Sequence, residues 1–270
     1  MFKDITLGQY YPGESVIHKL DPRTKLSGTM LFLISLFIND KFIGLGLAFL
    51  FLATMVRISG VPARFITRGL KGIFLIVLIT VLFSVFYVNT GTLLVEFWVF
   101  KIYSGGVANA AFIALRIMLL VLGSSLMTLT TTPTRLTDGL EKGLRCLNVI
   151  HFPVHSLAMI MSIALRFIPI LTQEMDKIQK AQMARGADFE KRGFLRRIRG
   201  FVPLLVPLII SAFRRASDLA QAMDARCYHG GKGRTKMKPL RYARRDFIGY
   251  LVLFSFLAVT IAIRILPYGY

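Results

Sequence analysis

Five apolar stretches alternate with short polar breaks along the chain. They cover residues 26–39, 42–56, 69–88, 105–129 and 247–266. The first two are separated only by the polar turn Asp40-Lys41, so they read as a helical hairpin. Each of these two runs is shorter than the roughly 20 residues a perpendicular span needs. Flanking Ser and Thr, and Lys or Arg side chains reaching out to the headgroups, make up the difference. The pattern predicts an all-α membrane protein with about five transmembrane helices. Residues 1–25 hold no apolar run with a cleavage site, so the first span is expected to act as its own insertion signal.

Between the fourth and fifth spans lies a long, mostly basic region, 131–246. It contains two further apolar stretches, 154–171 and 202–213. If both crossed the membrane, the cations between them (Lys177, Lys180, Arg185, Lys191, Arg192, Arg196, Arg197 and Arg199) would fall on the outer side, against the positive-inside rule. They are therefore read as two long helices on the cytoplasmic side, sunk into or packed under the membrane. Their apolar positions step by 3 and 4: Leu157, Met161, Ala164, Ile168, Leu171, Met175 and Ile178 in the first, and Leu205, Ile209, Ala212, Ala216, Leu219 and Met223 in the second. That spacing predicts a heptad-like seam on each helix, packed against the other or against a shared partner. Pro169, Pro203 and Pro207 are expected to mark kinks or helix starts. The organisation is then 1–130 for the N-terminal segment and four spans, 131–246 for the two cytoplasmic helices, and 247–270 for the last span. Residues 92–103 alternate and carry bulky aromatics, and read either as a short external hairpin or as an interfacial stretch.

Charge orients this arrangement. The chain has 34 Lys and Arg against 14 Asp and Glu, a net charge of +20. Lys3, Lys19, Arg23 and Lys25 before the first span, Arg57, Arg64, Arg68 and Lys71 after the second, and the 131–246 region share one side. The Asp40-Lys41 turn and the segment around Glu96 and Lys101 share the other. The N-terminus is thus expected inside and the C-terminus outside. The net charge could attract nucleic acid or anionic lipid. From Leu171 to Arg245 there are 18 Lys and Arg against 6 Asp and Glu, beside the membrane. Lipid headgroups are the nearer partner, and nucleic acid is not expected. Hydrophobic residues make up 54% and charged residues 18%, shifted from about 45–50% and 25% in soluble domains.

Both long cytoplasmic helices end alike: Ala181-Gln182-Met183-Ala184-Arg185-Gly186 and Ala222-Met223-Asp224-Ala225-Arg226-Cys227. The common pattern is Ala-x-x-Ala-Arg followed by a small residue, repeated 41 positions apart. A small residue and a cation at a helix end serve capping in many proteins. Repetition after two amphipathic helices suggests a second use. Small alanines keep the helix end narrow enough to enter a groove, and the planar Arg fork can grip an acidic group there. Two such ends imply two equivalent grooves on a partner.

These paired ends resemble the signature of the transmembrane T components of energy-coupling factor (ECF) transporters, prokaryotic importers of vitamins and micronutrients. Three further stretches resemble the same family: Ser15-Val16-Ile17-His18-Lys19-Leu20-Asp21-Pro22-Arg23-Thr24-Lys25-Leu26 before the first span, Leu165-Arg166-Phe167-Ile168-Pro169, and Thr131-Thr132-Pro133 with Leu136-Thr137-Asp138-Gly139-Leu140-Glu141. The resemblance covers nearly the whole chain. It departs at Cys227, where the family usually has Gly, which puts the cap geometry there in question. It implies a scaffold in the prokaryotic cell membrane that binds two cytosolic ATP-binding subunits through Ala184, Arg185, Gly186, Ala225, Arg226 and Cys227. Their motion would pass to a separate substrate-binding S component. Asp21, Pro22, Arg23, Arg116, Arg166 and Pro169 are candidate structural residues. No cofactor or metal is implied, and ATP hydrolysis is assigned to the partners.

Other classes fit less well. A self-contained carrier usually places acidic groups within its spans. Here the span interiors hold no Asp or Glu, and Arg116 is the one charge that reads as buried; its bland role is to pair with a carbonyl or a facing polar group. His151 and His155 stand four apart, but Pro153 lies between them and no Glu accompanies them, so neither a metal site nor an enzyme is indicated. Gly230-Gly231-Lys232-Gly233-Arg234 lacks the spacing of a nucleotide loop. Cys146 and Cys227 form no disulfide framework and suit a reducing compartment. The remaining alternative is a permease subunit of another ABC-type transporter that forms its own substrate path.

Overall fold

A computed structural model of the protein describes residues 10–88, 90–97, 100–144, 153–187, 194–230, 237 and 239–265. Its elements are α1 (Pro22–Ile38), α2 (Phe42–Ser59), α3 (Ala63–Tyr87), β1 (Leu93–Phe97), β2 (Phe100–Tyr103), α4 (Ser104–Thr130), α5 (Pro133–Gly143), α6 (Val154–Ala184), α7 (Phe194–Ala225) and α8 (Arg244–Ile265). The protein is an all-α membrane protein whose described strands form a single antiparallel hairpin, pairing Leu93 with Tyr103 and Phe97 with Phe100. That hairpin resolves the two readings of residues 92–103.

The chain divides into two compact units, one of Gly8–Leu140 with Leu240–Tyr270 and one containing Glu141–Pro239. In the first, α1, α2, α4 and α8 pack around Phe32, Leu36, Leu45, Ala48, Leu52, Phe112, Leu119 and Phe256. Phe51 and Phe256 stack with ring centroids 4.2 Å apart. Small residues let the helices close up, as membrane helices without a solvent-driven force require. A Cβ on Gly123 would stand 2.6 Å from Phe32, and one on Gly106 would stand 2.9 Å from the Val85 carbonyl of α3. The outer faces stay apolar: Phe74, Leu75, Phe83, Phe247 and Leu251 are each about two-thirds exposed. Such a surface suits lipid rather than water.

Five helices are long and apolar enough to cross a bilayer: α2, α3, α4, α6 and α8. This set differs from the one read in the sequence. The 17 residues of α1 reach only about 25 Å, while the 31 residues of α6 begin with a run long and apolar enough to cross. The prolines also sort out. Pro169 lies inside α6, and Pro203 and Pro207 lie inside α7, so none of them starts a helix.

The two ends of the first unit differ in chemistry. One end gathers the start of α1, the link into α3, the end of α4 and the start of α8. There the Tyr11 N–H donates to the Leu129 carbonyl at 2.8 Å, and the Asp21 N–H donates to Asp246 Oδ1 at 2.8 Å. The expected basic segments Lys19–Lys25 and Arg57–Arg68 flank this end. At the other end the α1–α2 turn meets α4 and the last turn of α8, through Arg116 and Arg264 on either side of Asp40.

Candidate functional site

The two repeated helix ends both lie in the unit containing Glu141–Pro239. Each closes in the same hydrogen-bonded form. At the end of α6, Gly186 N–H donates to the Met183 carbonyl at 3.0 Å and Ala187 N–H donates to the Gln182 carbonyl at 3.0 Å. At the end of α7, Cys227 N–H donates to the Asp224 carbonyl at 2.9 Å and Tyr228 N–H donates to the Met223 carbonyl at 3.0 Å. Both are Schellman caps, which need a left-handed residue just past the helix. Gly186 supplies φ 86° and Cys227 supplies φ 54°. Cys227 is the sole non-glycine with positive φ among the described residues. The substitution questioned in the sequence therefore keeps the cap, with backbone strain of about 1–2 kcal/mol.

Ala184, Arg185 and Gly186 are all exposed, as are Ala225, Arg226 and Cys227. Among the described residues neither arginine makes an ion pair. Other arginines of the chain do: Arg23 with Asp21, Arg116 with Asp40, and Arg215 with Glu174. The two motif arginines thus present unpaired guanidinium groups beside narrow, alanine-flanked helix ends.

α6 packs on α7, and of the seam expected for α6 Leu171 lines the contact. Leu157, Met161 and Ile168 are exposed. Met159, Ile163, Phe167 and Leu171 line the space between the helices, together with Ala212, Ala216, Leu219 and Met223 of α7. The α6 row has spacing 4, and the facing α7 row Ala212, Ala216, Leu219 and Met223 steps by 4, 3 and 4, as expected for its seam. The helices run in opposite directions across the contact. Met159 and Ile163 lie near Met223 and Arg226, whereas Phe167 and Leu171 lie near Ala212 and Ala216.

Glu174 and Arg215 join across this crossing at 3.1 Å. They too are 41 positions apart, like Arg185 and Arg226, so the ion pair links matching positions of the two helices. Each motif arginine follows its matching position by 11 residues, about three turns, and so lies on the same face about 16 Å further along. Antiparallel helices carry the arginines away from the pair in opposite directions, to a separation on the order of 30 Å. Apart from the shared spacing, no local pattern marks the Glu174–Arg215 pair.

The N-terminal motif forms a clamp. Asp21 caps α1 by accepting the Arg23 N–H at 2.9 Å, and its two carboxylate oxygens take Arg23 Nε at 3.2 Å and Nη2 at 3.3 Å. Arg23 also stacks 4.2 Å over Tyr242 and donates to the Leu240 carbonyl. Pro22 occupies the first turn of α1 and packs on Gly139. Asp246, which sequence reading missed, is 2% exposed and accepts both Asp21 N–H and Ala243 N–H at 2.8 Å. Lys25 Nζ donates to the carbonyls of His18 and Thr130. His18 Nε2 donates to the Tyr11 carbonyl and its Nδ1 accepts from Ser15 Oγ, a neutral tautomer. Burial lowers its pKa below the ordinary 6.5, assisted by the Lys25 charge.

Arg116 donates to the Asn39 carbonyl, the group left over at the end of α1, and lies 4.6 Å over the Phe112 ring. Arg166 is exposed on α6. One expectation needs correcting: His155 does have an acidic neighbour, with Nδ1 3.0 Å from Glu141. Among the described residues, no three His, Cys, Asp or Glu gather as a metal site. Cys146, His151, Lys191, Arg192 and the loop Gly231-Lys232-Gly233-Arg234 lie outside the described residues.

Long lipid-compatible helices, followed by a helix pair that presents two matched cationic ends, define a multi-pass membrane subunit of a transporter. The family of cobalt transport proteins (CbiQ) matches residues 13–237. The energy-coupling factor transporter transmembrane protein EcfT of Clostridium kluyveri is 48% identical over 266 residues, 98% of each chain. EcfT of Bacillus subtilis is 46% identical over 246 residues, 91% of this chain and 93% of its own. EcfT of Acidaminococcus fermentans is 43% identical over 269 residues, 100% of this chain and 99% of its own. The chain belongs to this family, as a transmembrane T component of an ECF transporter, and is a multi-pass bacterial membrane protein.

Proposed function

We propose that the chain transmits ATP-driven motion from two cytosolic ATP-binding subunits to a separate substrate-binding membrane protein, the S component. The observation that carries this reading is the matched pair of helix ends. Arg185 and Arg226 are exposed, unpaired among the described residues, held by identical caps, and displaced in opposite directions from the Glu174–Arg215 pair. Two like docking points about a local two-fold are what a dimer of similar subunits would require. Each Arg would reach an acidic group in its groove, while Ala184 and Ala225 let the helix end enter.

The clamp of Asp21, Pro22, Arg23 and Asp246 ties the starts of α1 and α8 together and suits a scaffold that must hold its shape under load. Arg116 holds the α1–α2 turn against α4 in the same structural role. The N-terminus is placed on the cytoplasmic side, supported by the basic segments at that end of the first unit. Residues 131–246 serve as the coupling region, and anionic lipid headgroups neutralise its surplus charge. The family description names cobalt, but cargo is chosen by the partner that binds it, so no cargo is assigned to this chain.

Co-purification tests this reading. The wild-type chain should hold the ATP-binding subunits in detergent, and the Arg185→Glu/Arg226→Glu double variant should lose them while still eluting as a folded membrane protein. Equal recovery of the subunits with both proteins would reduce the arginines to helix caps.

A further inference from the structure

An apolar cavity of about 260 Å³ opens in the first unit among α1, α2, α4 and α8. It starts where α1 and α8 begin, at Thr24, Lys25 and Arg245, and runs past Gly28 to Phe32 on α1 and past Gly249 to Leu253 on α8. Eight residues of helix carry it about 12 Å inward. One leaflet's hydrocarbon is about 15 Å thick, half the bilayer core. The slot is therefore deep enough for most of one acyl chain within that leaflet.

Its mouth is cationic. Among the described residues no Asp or Glu lines the cavity. Arg245 is exposed and makes no ion pair among the described residues. Lys25 spends two donors on the His18 and Thr130 carbonyls, and an ammonium has three. An apolar slot with a cationic mouth matches an amphiphile with an anionic head.

We propose that this cavity binds one anionic glycerophospholipid. Its acyl chain fills the slot between the packed α1–α8 pair and the facing residues Met55 of α2 and Leu126 of α4. Its phosphate meets Arg245. The lipid bridges these helices on the basic side of the membrane. The inference rests on the membrane placement of the chain and not on the docking of ATP-binding subunits.

The test uses the assembled transporter, purified and exchanged into micelles carrying phosphatidylglycerol or phosphatidylcholine with the same acyl chains. Retained lipid per complex is counted by native mass spectrometry. The wild type should retain phosphatidylglycerol about tenfold better, the factor expected for one charge-assisted contact. Arg245→Gln should abolish that preference. Gly249→Leu, where a Cβ meets its neighbours at ordinary contact distances of 3.4 and 3.7 Å, should lower retention of both lipids by filling the slot. If the leucine variant does not assemble, Arg245→Gln at the exposed mouth decides alone. Equal retention of both lipids by the wild type, or an undiminished preference in Arg245→Gln, overturns the proposal. So does lipid retained only by the chain stripped of its partners, which would mean that a protein segment fills the slot. Recovery of the ATP-binding subunits is read in the same spectra, so failure here is separable from failure of the coupling reading.

Discussion

Exchanging the residues of the two caps should move their local stability in opposite directions. Gly186 and Cys227 do the same backbone job at φ 86° and 54°. An L-residue in that region costs about 1–2 kcal/mol. A glycine avoids this but orders a freer unfolded chain, which returns about 0.4–1 kcal/mol. Cys227→Gly should therefore steady the end of α7 by about 0.5–1 kcal/mol, a two- to fivefold drop in local opening. Gly186→Ala should loosen the end of α6 by at least as much, because φ 86° lies further from the alanine minimum. No atom lies within 4 Å of a Cβ built on Gly186, so the effect is purely one of backbone strain. Hydrogen exchange of the cap amides, at residues 185–187 and 226–228, reads this directly. Slower exchange in Cys227→Gly and faster exchange in Gly186→Ala are expected. Unchanged protection at both ends would refute the claim that strain is held at Cys227.

Other substitutions probe the scaffold. Asp246→Ala leaves the buried Asp21 N–H and the part-buried Ala243 N–H without an acceptor, and should lower stability by about 1–3 kcal/mol, seen as an earlier thermal midpoint in detergent. Arg116→Met should cost about 1–3 kcal/mol through the lost Asn39 carbonyl and Asp40 contacts, measured in the same way. His18 is held neutral, with a folded pKa below 6.5. Its contribution is present above that value and is lost as pH falls through the lowered folded pKa. Protection of residues 11–20 against hydrogen exchange should hold at neutral pH and fall on acidification below 6.5, and His18→Gln should blunt that fall.

The legible parts of the fold are those governed by local chemistry. Apolar runs interrupted by Asp40-Lys41 located the α1–α2 hairpin, and Ala212, Ala216, Leu219 and Met223 do face α6. The face of α6 departs from the expected seam in its first half, which is apolar nearly all round. Leu157, Met159, Ile160, Met161 and Ile163 offer several stripes at once, and only packing chooses among them. Contact with Ala212, Ala216, Leu219 and Met223 of α7 selects Met159, Ile163 and Phe167, and rejoins the expected seam at Leu171. Asp246 was hidden for another reason. Its partner Asp21 is 225 residues away, and no local spacing records such a contact. Arg116 was legible as a charge needing a carbonyl or polar partner, but the Asn39 carbonyl could be identified only from the fold. The repeated Ala-Arg ends were plain in the sequence. The equivalence of Glu174 and Arg215 about them became visible only once the two helices were seen to cross in opposite directions.

The central claim is that each repeated helix end docks on its own ATP-binding subunit. A photo-crosslinking amino acid placed at Ala184 or at Ala225 tests this most directly, in membranes carrying the whole transporter. Both positions are exposed and precede the arginines by one residue. Cross-links from the two positions to two different ATP-binding subunits are expected. Cross-links from both positions only to lipid, or to other membrane subunits, would contradict the claim.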